Sequence, residues 1–206
     1  MNKTEQSRRS YNKQAWNYEN THDGRVTRPL KQMLLSVIDV RSGQTVVDVA
    51  CGPGDLIAAI SEKVNVQAFG IDIAERMIEV AKAKYKGVTF IAAPAVPLPF
   101  ENAAVDIIVV SAAFHHFEEP QRFADECSRV LRTGGIVYIG EFHAPPAARR
   151  IMNALVPFVR TGDVRLYSDT ELTAFFAKAG FDARVILTDG PRIILKCKKK
   201  QTNDIM

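Results

Sequence analysis

The sequence predicts an α/β fold: a seven-stranded, mostly parallel twisted sheet with helices on both faces and an antiparallel C-terminal hairpin strand. Three observations carry this. Between residues 45 and 142, short β-branched runs alternate with stretches of helical periodicity, the pattern of a parallel sheet covered by crossover helices. The first of these runs ends in a glycine-bearing turn that opens a helix. Near residue 168 the alternation stops, and one helix is followed by two strands around Asp189-Gly190, a hairpin turn signal.

Each element follows in order. Leu30, Met33, Leu34, Val37 and Ile38 form an apolar stripe at helical spacing. A short strand over 45–49 leads through the turn to a helix with Leu56, Ile57, Ile60 and Val64 on one face. A second strand over 66–71 precedes a helix with Met77, Ile78 and Ala81 inward. Strands are expected over 88–92, 105–110 and 136–142. Between the last two, Phe123, Cys127, Val130 and Leu131 mark a helix that begins near Pro120 and stops at Gly134-Gly135. Ser168-Asp169-Thr170-Glu171 is a capping box for a helix with Leu172, Phe175 and Phe176 inward, closed by Gly180. The strands 182–187 and 192–197 complete the count.

Composition limits the class. A chain of 206 residues, 47% hydrophobic and 24% charged, has the size and balance of one globular domain. Its formal charge is +4, but Arg192, Lys196, Lys198, Lys199 and Lys200 supply five positive charges, and removing them leaves the rest at −1. A nucleic-acid protein needs a basic face on its fold, so no nucleic-acid partner is expected and a solvated lysine tail explains the excess. Cys51, Cys127 and Cys197 lie too far apart for a Cys-x-x-Cys zinc site or a disulfide framework, and no metal is expected. The first fifteen residues lack a secretory core, and no apolar run approaches the roughly 20 residues of a membrane span. A cytoplasmic, reduced setting is the expectation.

The strongest motif is the run from Val46 to Asp55, Val-Val-Asp-Val-Ala-Cys-Gly-Pro-Gly-Asp. Gly52 and Gly54 let the backbone approach a ligand, beside the free N–H groups of a helix start. Asp72 ends the second strand, where a carboxylate can accept both ribose hydroxyls of an adenosine ligand. The plain alternative is a tight strand-to-helix turn with a capping aspartate. A dinucleotide fingerprint wants a glycine three positions after Gly54; Ile57 stands there, which argues against NAD.

On these residues the sequence resembles the class I S-adenosylmethionine-dependent methyltransferases, in particular the small group similar to the ubiquinone/menaquinone-biosynthesis C-methyltransferases. The resemblance covers nearly the whole chain. It includes Tyr11-Asn12-Lys13 with Ala15 and Tyr18, the Asp48–Gly54 loop, Gly70-Ile71-Asp72-Ile73 with Met77, and Leu98-Pro99-Phe100. Val130-Leu131 before Gly134-Gly135, Glu141-Phe142 and Ala179-Gly180-Phe181 complete it.

The resemblance implies S-adenosylmethionine as cofactor. It implies that Asp48, Ala50, Gly52 and Gly54 line the methionine moiety, with Asp48 near its ammonium. Asp72 would hold the ribose, Ile73 and Met77 would pack on adenosine, and Ser111 would face the cofactor. Tyr11 and Tyr18 belong to a segment that closes over it in that family. One position departs from the pattern. Where the family usually has Asp or Asn, then Ala, this chain has Pro94-Ala95. Proline offers no side-chain acceptor to the adenine amino group, a loss of about 1 kcal/mol or roughly fivefold in affinity. The Ala95 N–H remains available to adenine N1.

Methyl transfer needs a base only when the acceptor starts protonated. His115 and His116 follow the fourth strand, and Glu141 and His143 leave the fifth at the same edge, so all four are candidates, with Glu141 the better one for lining the pocket. A plain turn into the next helix is the alternative for the histidine pair. The expected organisation is one domain over 1–206. It has an N-terminal cap segment (1–40), a cofactor-binding core (41–142), a lid-like insertion (144–167) and a C-terminal helix and hairpin (168–198). The insertion carries Ile151, Met152, Leu155, Val156, Phe158 and Val159, which suits either a lid over a partly hydrophobic small-molecule pocket or packing on the sheet edge. The expected reaction is methyl transfer to an O, N or C atom of a small molecule. A non-catalytic S-adenosylmethionine- or S-adenosylhomocysteine-binding protein and an RNA methyltransferase are the alternatives.

Overall fold

A computed structural model of the chain describes residues 2–158 and 162–201; Val159, expected in the insertion, lies outside the described residues. Helix α1 (Lys3–Gln14) and a 3-10 turn (Ala15–Asn20) precede α2 (His22–Val37). Then come β1 (Thr45–Val49), α3 (Asp55–Lys63), β2 (Gln67–Asp72), α4 (Glu75–Lys84), β3 (Thr89–Ala92) and β4 (Val105–Ser111). After a short 3-10 turn (Phe114–His116) follow α5 (Pro120–Val130), β5 (Leu131–Phe142) and α6 (Pro146–Leu155), then a 3-10 turn (Val156–Phe158), α7 (Asp169–Lys178), β6 (Phe181–Asp189) and β7 (Arg192–Lys199).

The seven strands form one sheet in the order β3-β2-β1-β4-β5-β7-β6. Strands β1 to β5 are parallel, and β7 runs antiparallel between β5 and β6. Every residue of β1 is buried, as a central parallel strand requires. On one face Leu30, Leu34, Leu56, Ile57, Ile60, Ile78 and Ala81 bring α2, α3 and α4 onto the sheet. On the other, Phe123, Cys127, Leu172 and Phe176 bring α5 and α7. All three cysteines are free and buried.

Two expectations change. The helix thought to reach Gly134-Gly135 ends at Val130, and β5 starts at once, with Leu131 beside Val105 and a register shift before Ile136 meets Ile107. The carbonyls at this helix end are taken by Lys199, whose Nζ donates to Ser128 (2.5 Å) and Leu131 (2.8 Å). The lysine-rich stretch is therefore not a solvated tail: Lys196, Lys198 and Lys199 belong to β7. Among the described residues no helix is long and apolar enough to cross a membrane.

Candidate functional site

Strand order reverses between β1 and β4, which sit side by side with Val49 opposite Val110. A crevice opens beyond their C-terminal ends, the ligand position of open α/β sheets. Both strands leave it through an alanine in the left-handed region, Ala50 (φ 59°) and Ala112 (φ 52°). Such strain in a non-glycine residue persists only where surrounding structure dictates it, and it concentrates at functional sites.

The crevice is a cavity of about 210 Å³. It is lined by Ala50 and Gly52, by Asp72, Ile73 and Met77, and by Pro94, Ala95 and Ser111. Tyr11 and Tyr18 of the N-terminal segment line it as well. A smaller pocket of about 30 Å³ adjoins it, sharing Tyr18, Ala50, Gly52 and Ser111 and reaching Asp48 and Lys31. Asp48 is 1% exposed, and its Oδ1 and the Ser111 hydroxyl oxygen are buried without a hydrogen-bond partner. Burial pushes the Asp48 carboxyl up to about 8, with Lys31 pulling the other way. Buried polar atoms left unpaired are uncommon, and two of them at one pocket mark a place for a polar ligand group.

Asp72 is held rigidly. The Gly52 N–H donates to its Oδ2 and the Ala74 N–H to its Oδ1, both at 2.8 Å. Burial raises its pKa to about 6 against those two amides. Gly54 lines neither pocket. It takes a positive φ (85°) at the start of α3, and a Cβ there would lie 2.6 Å from the Phe90 ring, so its smallness serves packing.

The acid–base candidates separate. His116 lines the cavity and its Nε2 lies 2.9 Å from the Tyr11 hydroxyl. His115 stands behind it. Glu141, expected at the pocket, does not line it: its carboxylate is buried, accepts from the Phe114 and Phe142 N–H groups (2.8 and 3.0 Å), and sits 3.0 Å from His115 Nδ1. Burial opposes charge on both partners, yet their attraction holds Glu141 below and His115 above the ordinary range. Burial, then His115, drives His116 down to about 4. His143 also falls outside the cavity, pairing with Asp169 at 2.8 Å on the flank.

Among the described residues of the insertion, 144–158 and 162–167, none lines this cavity; α6 buries no side chain, and Ile151, Met152, Leu155 and Phe158 are exposed. Instead α1 covers the opening. It is tied to α4 by Arg8 to Glu75 (2.5 Å), Asn12 to Glu75 (2.9 Å) and the Arg76 N–H to Asn12 (2.9 Å). The Thr4 N–H donates to Glu118 (2.7 Å) on the opposite rim. Sequence reasoning missed Thr4, Ser7, Glu118 and Glu119 as lining residues, because polar residues on a polar helix and loop carry no periodic signal.

Strand order, switch-point cavity and acidic second-strand end are those of the Rossmann-like fold of class I S-adenosylmethionine-dependent methyltransferases. Residues 47–139 match the family model described as a methyltransferase domain, and the chain carries such a domain. Among curated proteins it is 39% identical over 103 residues to the ubiquinone/menaquinone biosynthesis C-methyltransferase UbiE of Campylobacter jejuni, covering 47% of this chain and 44% of that one. It is 28% identical over 175 residues to the 27-O-demethylrifamycin SV methyltransferase of Amycolatopsis mediterranei (81% and 64%). The chain thus spans less than half the length of the first of these relatives. Among solved structures, the YcgJ protein of Bacillus subtilis superposes with a TM-score of 0.73 at 20% identity, over 84% of this chain and 99% of that one.

Proposed function

We propose that this protein transfers a methyl group from S-adenosylmethionine to an O, N or C atom of a small molecule. The carrying observation is the pair of unpartnered buried oxygens, Asp48 Oδ1 and Ser111 Oγ, in the small pocket adjoining the cavity that Asp72 lines. An α-ammonium donates to Asp48 there, and the ribose hydroxyls donate to the fixed Asp72 carboxylate. Ile73, Met77, Pro94 and Ala95 give the cavity an apolar stretch of lining, as an adenine ring needs. The cofactor supplies an activated methyl on a sulfonium, and the chain's task is alignment and exclusion of water. Tyr11 and Tyr18 do the latter from the cap, and the buried Tyr11 phenol, its pKa raised mainly by burial, keeps its proton. The small-molecule acceptor follows the named substrates of the relatives and the size of the cavity.

Calorimetric titration with S-adenosylmethionine and with S-adenosylhomocysteine tests this. Micromolar binding of both is expected, despite Pro94. Asp72→Ala removes hydrogen bonds to a charged group worth about 1.5–3 kcal/mol, so affinity falls at least tenfold. Binding that is absent, or unchanged in that variant, sinks the proposal.

A further inference from the structure

We infer that His115, His116 and Asp163 form a binding site for a divalent transition-metal ion of the zinc type at the wall of the cavity. This goes beyond the methyl-transfer reading and stands on a different set of atoms. Nothing in the residue spacing announces it, since Asp163 is brought to the histidines by the fold alone.

The ligand atoms of the three residues all lie within 4.8 Å of one another. Asp163 Oδ1 is 3.1 Å from His116 Nδ1 and 3.7 Å from His115 Nε2. Two ligands bonded to one tetrahedral zinc at about 2.0–2.1 Å stand roughly 3.3 Å apart, so these separations bracket the required one. Two nitrogens and one carboxylate oxygen make a borderline donor set, which selects zinc, cobalt, nickel or iron over magnesium or calcium.

The outer atoms are arranged as a metal site needs. Each histidine engages a protein group through its far nitrogen. His115 Nδ1 faces the buried Glu141 carboxylate at 3.0 Å, and His116 Nε2 faces the Tyr11 hydroxyl at 2.9 Å. The Glu141 carboxylate can only accept, which leaves His115 Nε2 as a lone pair, and the His116 tautomer that donates from Nε2 to the Tyr11 oxygen leaves its Nδ1 as another, the arrangement by which protein ligands are oriented on metals. The second observation is independent. His116 Nδ1 is buried and makes no hydrogen bond, although an Asp163 oxygen lies only 3.1 Å away, so the carboxylate is close but off the line of an N–H. In that tautomer two acceptors face each other, and a cation between them resolves the repulsion.

The backbone holds the third ligand in place. The Val164 and Arg165 N–H groups both donate to the His115 carbonyl, at 2.9 and 3.3 Å. On the other side Gly162 packs on α1, where a Cβ would lie 2.5 Å from the Ser7 backbone nitrogen. Asp163 is thus clamped between the histidine turn and the cap.

The test titrates the full chain, stripped of metal by a chelator, with Co²⁺. One equivalent is expected to bind, to give visible ligand-field absorption, and to be displaced by Zn²⁺. Asp163→Ala and His115→Ala should each weaken binding at least tenfold, and Tyr11→Phe, which removes only the outer hydrogen bond, about tenfold. Asp163→Asn gives the same reading should the alanine variant not fold, as judged by circular dichroism. His143→Ala, remote from the cluster, should bind as the parent does. Absence of saturable Co²⁺ binding, or binding that survives loss of the Asp163 carboxylate, overturns the inference.

Discussion

Two aspartates differ by what their surroundings leave unpaired. Asp72 has both oxygens engaged by backbone amides, whereas Asp48 keeps one buried oxygen without a partner. A cation entering beside Asp48 therefore changes its ionisation. Empty, that carboxyl titrates near 8 because of burial, and a bound ammonium favours the ionised form, so binding below about pH 8 must expel a proton. Affinity for S-adenosylmethionine should then rise with pH up to about 8, by at most about tenfold per unit. Asp48→Asn should flatten this rise while sharing the titration of the ligand's own amino group. Calorimetry across buffers of different ionisation enthalpy measures the proton count directly. Asp48 and Asp72 were legible because one stands next to last and the other last in a strand that leads into a turn. The separate fates of Glu141 and Gly54 were not, because only the folded neighbours, His115 and Phe90, decide them.

At the scale of elements, caps and turns carried most of the local information. The Ser168 capping box forms as written, with its hydroxyl accepting from the Glu171 N–H at 3.1 Å, and the Asp189-Gly190 signal does make a hairpin. The junction of the 3-10 turn (Ala15–Asn20) with α2 depends on close approach. Thr21 donates to the Tyr18 carbonyl through its N–H (3.0 Å) and hydroxyl (2.6 Å), and a Cβ on Gly24 would fall 2.1 Å from that oxygen. Gly24→Ala must push the turn outward and carry Tyr18 with it. It should cost about 1–3 kcal/mol in urea unfolding, as overpacking does, and weaken cofactor binding severalfold. Unchanged binding at reduced stability would remove Tyr18 from the site. Helix α6 shows the limit of pattern reading: its apolar stripe is present, yet periodicity alone does not say what a stripe faces.

Across the whole molecule, the cap is joined to the core mainly by polar groups. In α1 only Ser7 is buried, and its ties to Glu75 and Glu118 lie near solvent. Surface ion pairs of this kind contribute little, a fraction of a kcal/mol each, so the cap opens at small cost. Ligand seated under Tyr11 and Tyr18 adds contacts that exist only when it is closed. Trypsin cleavage at Arg8, Arg9 and Lys13 should therefore slow at least tenfold on saturation with S-adenosylhomocysteine, read by mass spectrometry. Equal rates with and without ligand would mean that the cap does not close over the cofactor.

Periodicity and turn chemistry are local, which is why the sequence alone determined the strands and helices from α2 onward, the parallel core with an antiparallel hairpin strand, and the acids near the ends of the first two strands. Contacts between distant segments have no local code. Only the tertiary structure placed α1 rather than the 144–158 stretch over the cavity, buried Glu141 behind His115, folded the lysine-rich end into β7, and brought Asp163 to the histidine pair. Those arrangements depend on which surfaces find complementary partners once the sheet has formed, a property of the packed whole.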